Sequence, residues 1–228
     1  MAAPTPERRF KNPVVFICDI QEKFRPAIYE FDKVILTARK LLHAATALRI
    51  PIFVTTQNRA RLGETVAELQ PLLAAAGALV QADLDKTRFS MWLPAVASHP
   101  VFSFSSSSSA TATTSPSSTA TALTSPAEVV IAGIESHICV TQTALDLLAA
   151  GHRVYVLADG VSSAHREEVP VALARLRQAG AVVTTSESWL YECMGDAGVP
   201  EFKAVVKLVK ETGPDTKAAL QALVGSKI

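Results

Sequence analysis

The chain has 228 residues, of which 49% are hydrophobic, and this is ample for the core of one α/β domain. A net charge of +1 and 6% aromatic residues predict no nucleic-acid partner, and no apolar run is long enough to cross a membrane. Three cysteines without CxxC spacing argue against a disulfide framework or a zinc knuckle, so we expect a cytoplasmic protein, with a mitochondrial leader as the alternative.

Taken in chain order, short apolar runs alternate with segments of helical periodicity. The predicted strands are residues 14–18, 52–56, 78–81, 129–132, 153–158 and 181–185. The predicted helices are 32–48 with Asp32 as N-cap, part of 64–73, a segment opening near Leu93, 138 to the stop at Gly151, 166–178, 186–194 and 200–210. This alternation predicts an α/β fold, a three-layer doubly wound (Rossmann-like) sheet of six parallel strands with helices on both faces.

The domain organisation follows from two changes in composition. Residues 1–12 are interpreted as a flexible leader, 13–212 as a single domain and 213–228 as a C-terminal tail. Between 103 and 126 every residue except Phe104 and Leu123 is Ser, Thr, Ala or Pro. Such a tract cannot bury enough apolar surface to offset its ordering entropy, so we predict a disordered surface insertion within the domain.

Cys139 lies in the segment around which we interpret the rest of the chain. It follows the buried strand 129–132 and falls on the predicted first turn of a helix. In open α/β sheets ligands bind at that edge, and unpaired amides and the helix dipole there favour a thiolate. The alternative is that Cys139, like Cys18 and Cys193, is a small buried hydrophobic residue. The spacing alone leaves both interpretations open.

Asp19 and Lys86 also follow predicted strands, and both can reach the same crevice as Cys139. A carboxylate can take the thiol proton, and an ammonium can stabilise the thiolate. Each also has a structural interpretation, Asp19 as a turn residue and Lys86 as a solvated partner of Asp83 or Asp85. Their joint placement favours a catalytic site.

With these residues in view, the sequence resembles the isochorismatase-like cysteine hydrolases, in particular the eukaryotic isochorismatase-domain-containing proteins of the metal-independent branch. The matching segments are CDIQEKF (18–24), KTRFSMW (86–92), AGIESHICVTQTALDLL (132–148), LADGVSSAHREE (157–168), ALARLRQAGAVVTTSE (172–187) and 200–211. The resemblance thus covers nearly the whole chain apart from the leader and the insertion.

The resemblance implies roles for these residues. Asp19 would be the general base, Lys86 the supporting cation and Cys139 the nucleophile. It also implies a non-proline cis peptide between Ile134 and Glu135, which would aim the amide of Glu135, with that of Cys139, at a developing oxyanion. Relatives assemble through helical faces, so the resemblance further implies a homo-oligomer.

The resemblance also bears on metal binding, because its nicotinamidase branch holds a metal with an Asp-x-His element after the second strand. Here residues 55–64 read TTQNRARLGE and contain no histidine, and the other histidines are scattered. We therefore predict no metal and no other cofactor.

Five residues are candidates for the walls of a substrate pocket. They are Gln21, Phe24, Phe89, Trp92 and His137. A pocket needs apolar walls with few polar groups, and this set supplies both. The alternative for the three aromatic residues is packing in the core or at a subunit interface.

The sequence thus predicts a metal-independent cysteine hydrolase that acts on a small amide or related acyl substrate through a thioester. Two alternatives stay open: a nicotinamidase, which the missing histidines disfavour, and a catalytically idle interaction module that keeps the fold. The intact set of Asp19, Lys86 and Cys139 argues against idleness.

Overall fold

The computed structural model describes residues 8–104 and 125–225, and its centre is a sheet of six strands. All neighbouring strands are parallel, and their order is β3-β2-β1-β4-β5-β6. The strands are β1 (Pro13–Cys18), β2 (Ile52–Gln57), β3 (Val80–Lys86), β4 (Glu128–Ile134), β5 (Arg153–Ser162) and β6 (Val182–Thr184). The strand order reverses between β1 and β4, and in doubly wound sheets a ligand crevice opens at that point.

Helices cover both faces of the sheet. They are α1 (Phe31–Leu48), α2 (Arg59–Leu62), α3 (Gln70–Ala76), α4 (Pro94–Ala97), α5 (Thr141–Ala149), α6 (Glu168–Gln178), α7 (Ser186–Met194), α8 (Phe202–Glu211) and α9 (Gly213–Ala219). Buried residues of α1, α3, α7 and α8 form one core cluster, whereas those of α4, α5 and α6 form the other. The three-layer doubly wound fold predicted from the sequence is therefore confirmed.

The alternation of side chains along β1 explains how one strand serves both cores. Val15 and Ile17 point into the α1 cluster, whereas Val14, Phe16 and Cys18 point into the α5 cluster. Because both faces are covered, the strand is a continuous apolar run without polar alternation. Its last residue, Cys18, thus lies on the same face of the sheet as Cys139.

The structure corrects two of the predicted boundaries. Helix α1 begins at Phe31, so Glu30 and not Asp32 is its N-cap. Strand β3 runs to Lys86 instead of ending at residue 81, because it is an edge strand whose exposed residues alternate with more buried ones. A search for continuous apolar runs misses a strand of this kind.

The two ends of the described chain belong to the domain. Phe10, which we assigned to a flexible leader, is buried, and its ring lies 4.9 Å from that of Tyr155 and 6.2 Å from that of Trp189. At the other end, residues 213–225 form α9 and a π-helical turn (Leu220–Val224), with Thr216 and Ala219 buried. An aromatic ring at one end and an amphipathic helix at the other bury enough apolar surface to order these segments.

Residues 1–7 and 105–124, which include most of the predicted leader and insertion, lie outside the described residues. In the described ranges, no helix combines the length and the hydropathy that a membrane span requires.

Candidate active site

The carboxyl ends of β1, β3 and β4 meet at the crevice where the strand order reverses. Asp19 follows β1 and turns out of the strand with a positive φ of 52°. Lys86 is the last residue of β3, and Cys139 lies in a π-helical turn, Ser136–Val140, between β4 and α5. The sequence predicted Cys139 on the first turn of a helix. In the structure that first turn is π-helical, and α5 follows it directly.

Lys86 joins the other two predicted catalytic residues. Its Nζ donates a hydrogen bond to Oδ2 of Asp19 over 2.7 Å and lies 3.8 Å from Sγ of Cys139. The side chains of Lys86 and Asp19 are 0% and 1% exposed, so solvent screens this pair little. The fold thus brings together three residues that are as many as 120 positions apart in the chain.

Two residues of β2 and one backbone carbonyl hold this pair, and the sequence analysis missed all three. Thr55 donates to the second carboxylate oxygen of Asp19 over 2.8 Å, and Gln57 Oε1 accepts from Lys86 Nζ over 2.7 Å. The carbonyl of Phe89 accepts from the same ammonium over 2.8 Å. The signal was present, because Thr55 and Gln57 are polar residues at alternate positions where an otherwise apolar strand ends.

The electrostatics of the cluster favour a charged lysine. Burial by itself would lower the pKa of the Lys86 ammonium, yet its pKa is raised because Cys18, Asp19 and Cys139 surround it with groups that favour the positive charge. The thiol of Cys18 behaves in the opposite way. Burial raises its pKa well above the usual value, and a hydrogen bond with Cys139 and the charge of Asp19 raise it further.

The turn that carries Cys139 is fixed by local hydrogen bonds. The peptide bond between Ile134 and Glu135 is cis, and the carbonyl of Glu135 accepts from the amides of Ile138 and Val140, both over 3.1 Å. Thr143 Oγ1 donates to the carbonyl of Cys139 over 2.6 Å. The Cys139 side chain is therefore held at the base of the crevice, where the residue is 7% exposed.

Two of the predicted pocket residues have structural contacts that the sequence did not reveal. Gln21 is fully buried, and its side-chain amide donates to the carbonyls of Gln57 and Gly63 and accepts from the Gln57 amide. Its polar atoms therefore bind backbone and connect the loops after β1 and β2. Trp92 packs edge-on against Phe102 at 4.9 Å, which agrees with the packing alternative.

The other three predicted pocket residues differ in exposure. Phe24 is half-buried and packs against the α1 cluster, whereas Phe89 is 49% exposed beside the Lys86 ammonium. His137 is half-buried, and its Nδ1 lies 2.9 Å from the hydroxyl of Ser163. That hydroxyl in turn lies 2.5 Å from Ser136 Oγ. Phe89 and His137 are thus the candidates for contact with a substrate.

A cavity of about 710 Å³ lies apart from these residues. Its walls come from Tyr29, Ala158, Arg166, Glu167, Val169, Pro170, Leu173, Arg177 and residues 221–225. None of the predicted catalytic or pocket residues lines it. In the described part of the chain, no group of three or more His, Cys, Asp or Glu residues is arranged to hold a metal ion.

Comparison with known proteins gives a consistent result. The family model of the isochorismatase domain matches residues 13–188. The chain is 38% identical over 200 residues to the secreted isochorismatase effector Isc1 of Phytophthora sojae, covering 88% of this chain and 85% of that protein. It is 36% identical over 206 residues to isochorismatase domain-containing protein 2 of Xenopus laevis, covering 90% and 87%.

Among solved structures, that of the MAR1 ribonuclease from Caenorhabditis elegans superposes with a TM-score of 0.71. It is 35% identical in sequence and covers 90% of this chain and 93% of that chain.

Proposed function

The chain belongs to the isochorismatase family, and from this premise we propose that it is a cysteine hydrolase of a small amide or related acyl substrate. The observation that supports the proposal most strongly is the position of Lys86, whose ammonium contacts both Asp19 and Cys139 in a buried cluster. A buried cation at 3.8 Å from a sulfur stabilises a thiolate, which is the reactive form of cysteine.

In the first half of the reaction, Sγ of Cys139 forms a bond to the carbonyl carbon of the substrate. The carbonyl oxygen becomes an oxyanion, which the amides of Glu135 and Cys139 stabilise by hydrogen bonds. When the C–N bond breaks, the leaving amine takes the proton that came from the thiol and was held by Asp19. The product of this half is a thioester on Cys139.

In the second half, Asp19 takes a proton from water, and the resulting hydroxide attacks the thioester carbonyl. The C–S bond breaks, the acid leaves, and the sulfur is again a thiolate beside Lys86. Asp19 can serve both halves because its carboxylate is held by Thr55 and Lys86 in one orientation. No step of this mechanism uses a metal ion.

The burial of the site supports a small substrate. Cys139 is 7% exposed, and the polar atoms around Lys86 come from side chains and one carbonyl rather than from a basic groove. The similar C. elegans protein is named a ribonuclease, so RNA is the substrate against which small amides should be compared. A net charge of +1 gives no electrostatic reason to expect RNA binding here.

A screen of small primary amides and esters tests the proposal. The purified protein should hydrolyse at least one of them, and Cys139→Ala should abolish this turnover while the structural control Cys193→Ala retains it. Turnover should persist after exhaustive treatment with a chelator, whereas loss with chelator and recovery with zinc would support the nicotinamidase-like mechanism. Hydrolysis of RNA but of no small substrate would overturn the proposal.

Location and assembly are separate proposals. We keep the expectation of a cytoplasmic homo-oligomer, although the P. sojae relative is named a secreted effector. Fractionation of cells and light scattering of the purified protein would test these two expectations.

A further inference from the structure

Cys18 is a buried thiol for which the mechanism above has no role. It is the last residue of β1, it is fully buried, and it immediately precedes Asp19. Its Sγ lies 3.2 Å from the carbonyl oxygen of Ile134 and donates a hydrogen bond to it. A contact at this distance between a thiol and a carbonyl is more specific than the apolar packing expected of a buried cysteine.

The carbonyl that Cys18 binds belongs to the same peptide unit as the N–H of Glu135. Because a peptide unit is planar and rigid, a hydrogen bond to its oxygen also restricts the direction of its N–H group. That N–H group is one of the two proposed oxyanion donors. The thiol of Cys18 is therefore linked to this proposed donor through a single peptide unit.

Close packing of the two strands keeps this contact in place. Cys18 pairs with Gly133, whose φ is +133°. A Cβ added at Gly133 would lie 2.1 Å from the carbonyl oxygen of Cys18, a distance that no side chain tolerates. Only glycine allows β1 and β4 to approach so closely, and this approach brings the Cys18 thiol to the Ile134 carbonyl.

We propose that Cys18 is a positioning residue that holds the Ile134–Glu135 peptide so that the Glu135 amide faces the developing oxyanion. This inference rests on the proposed function, because it gives the hydrogen bond a purpose only if Cys139 attacks a carbonyl. Cys18 acts through the peptide and takes no part in bond making or proton transfer.

The thiol must stay protonated to donate, and its surroundings favour this. Burial raises the pKa of Cys18 well above its usual value, and the neighbouring Cys139 and Asp19 act in the same direction. The charge of Lys86 acts to lower the pKa of Cys18, but its effect is smaller than that of burial. The ammonium donates a hydrogen bond to Asp19 and lies near the sulfur of Cys139. Cys18 therefore keeps its proton and can donate it to the carbonyl of Ile134.

Two reagents separate this role from simple packing. Acylation of Cys139 by p-nitrophenyl acetate forms an S–C bond and releases p-nitrophenolate through a tetrahedral oxyanion, so it needs the Glu135 amide. Alkylation by iodoacetamide forms an S–C bond and displaces iodide directly, so no oxyanion develops. A positioning role predicts a change in the first rate only, whereas damage to the site or its packing changes both.

The experiment compares Cys18→Ala, Cys18→Ser and the buried control Cys193→Ala, with rates at Cys139 followed by peptide mapping. Cys18→Ala should slow acylation by about tenfold, less than the roughly 100-fold or greater loss that follows removal of a direct oxyanion donor. Alkylation should change by less than about twofold, because the charge of Lys86 beside the sulfur is retained. The hydroxyl of Cys18→Ser should restore most of the acylation rate, and Cys193→Ala should change neither rate.

The outcomes distinguish this inference from the proposed function. Equal acylation rates in Cys18→Ala and the unaltered protein, or a parallel loss of both reactions, would overturn the positioning role alone. Failure of the unaltered protein to alkylate or acylate preferentially at Cys139 would overturn the proposed function and the inference with it.

A spectroscopic measurement covers the case in which Cys18→Ala does not fold. In Cys139→Ala/Cys193→Ala the only remaining thiol is Cys18, since the chain has three cysteines. Its S–H stretching band should lie at lower frequency than that of the same protein unfolded in denaturant, as expected for a hydrogen-bond donor. A band at the unfolded position would contradict the proposal.

Discussion

Two buried lysines of this protein have different partners and, we infer, different purposes. Lys86 contacts the carboxylate of Asp19 directly at 2.7 Å. Lys40 of α1 is equally buried, at 3% exposure, but the hydroxyl of Ser186 lies between it and the carboxylate of Asp159. The pKa of Lys86 is raised, whereas burial lowers the pKa of Lys40 despite the charges of Glu187 and Asp159. The carboxylate paired with Lys86 is buried with it, whereas the Glu187 carboxylate that pairs with Lys40 at 3.6 Å is 43% exposed, so its charge offsets burial less.

The positions of the two lysine clusters in the fold distinguish a candidate reactive site from a structural one. The Lys86 cluster lies at the carboxyl ends of strands and has a thiol beside the ammonium. The Lys40 cluster connects helices, because Lys40 of α1 contacts Ser186 at the start of α7 and Thr216 of α9. Removal of the first lysine should therefore affect chemistry and stability, and removal of the second only stability.

The largest effect is expected from Lys86→Met. Alkylation at Cys139 should slow by more than about tenfold, because a unit charge about 4 Å away contributes several kcal/mol even at an effective dielectric constant of about 20. The free energy of unfolding should also fall by about 3–5 kcal/mol, because the Asp19 carboxylate loses its buried partner. Iodoacetamide kinetics and urea unfolding measure the two effects.

A double variant sharpens this result. Asp19→Asn/Lys86→Met removes both charges, so it should recover much of the stability without recovering the reactivity of Cys139. If Cys139 of the Lys86→Met variant is alkylated at the normal rate, the Lys86 cluster is structural, like the Lys40 cluster, and the contrast between them is wrong.

The next largest effect is expected from Lys40→Met. It should lower the free energy of unfolding by about 1–3 kcal/mol, because the hydroxyls of Ser186 and Thr216 lose a buried donor. The rate of Cys139 alkylation should stay within about twofold of normal, because no hydrogen bond among the described residues connects the cluster to Lys86. A large loss of reactivity in this variant would erase the distinction between the clusters.

The sequence revealed one of these clusters and missed the other for a physical reason. Asp19 and Cys139 each follow a buried apolar strand, and parallel strands end at a common edge, so their proximity could be predicted. Lys40 lies within a helix and contacts residues 146 and 176 positions away, and no local pattern predicts such pairs. Its burial depends on how α7 and α9 pack against α1.

The same limit applies to details of the candidate site. The contact between Cys18 and Ile134 joins residues 116 positions apart and depends on the close approach of β1 and β4. Gln21 was assigned to the pocket because it lies near Asp19 in the chain, yet its side chain binds the backbone of Gln57 and Gly63. Distance along the chain indicates the region of a residue but not the direction of its side chain.

His152 offers a smaller test, because it is a third buried basic side chain. Its pKa is lowered by burial, so the unfolded chain takes up a proton more readily than the folded one. Stability should therefore be complete above pH of about 6.5 and decline as the pH falls below that value.

The variant His152→Asn should weaken this decline, because asparagine has no proton to gain and can still accept a hydrogen bond from the Ala127 amide. Thermal unfolding between about pH 7 and about pH 5 measures the effect. The exposed His43→Asn is the control and should keep the normal pH dependence, whereas an unchanged decline in His152→Asn would contradict the assignment.

The smallest effect is expected from the Ser/Thr/Ala-rich insertion. Replacement of residues 105–124 by a Gly/Ser loop of half the length should change the free energy of unfolding by only about 0.6 kcal/mol, because loop-closure entropy varies slowly with length. Cys139 should alkylate at the normal rate. A large fall in melting temperature would show that the insertion packs on the domain.

The central claim, that Cys139 is the nucleophile, is tested most directly by competition among the three cysteines for limiting iodoacetamide at neutral pH. Burial raises the pKa of Cys18 well above its usual value and that of Cys193 to about 12, whereas Cys139 lies 3.8 Å from the Lys86 ammonium. Peptide mapping should therefore show carbamidomethylation first and almost exclusively at Cys139. Preferential labelling of Cys18 or Cys193 in the folded protein would contradict the account.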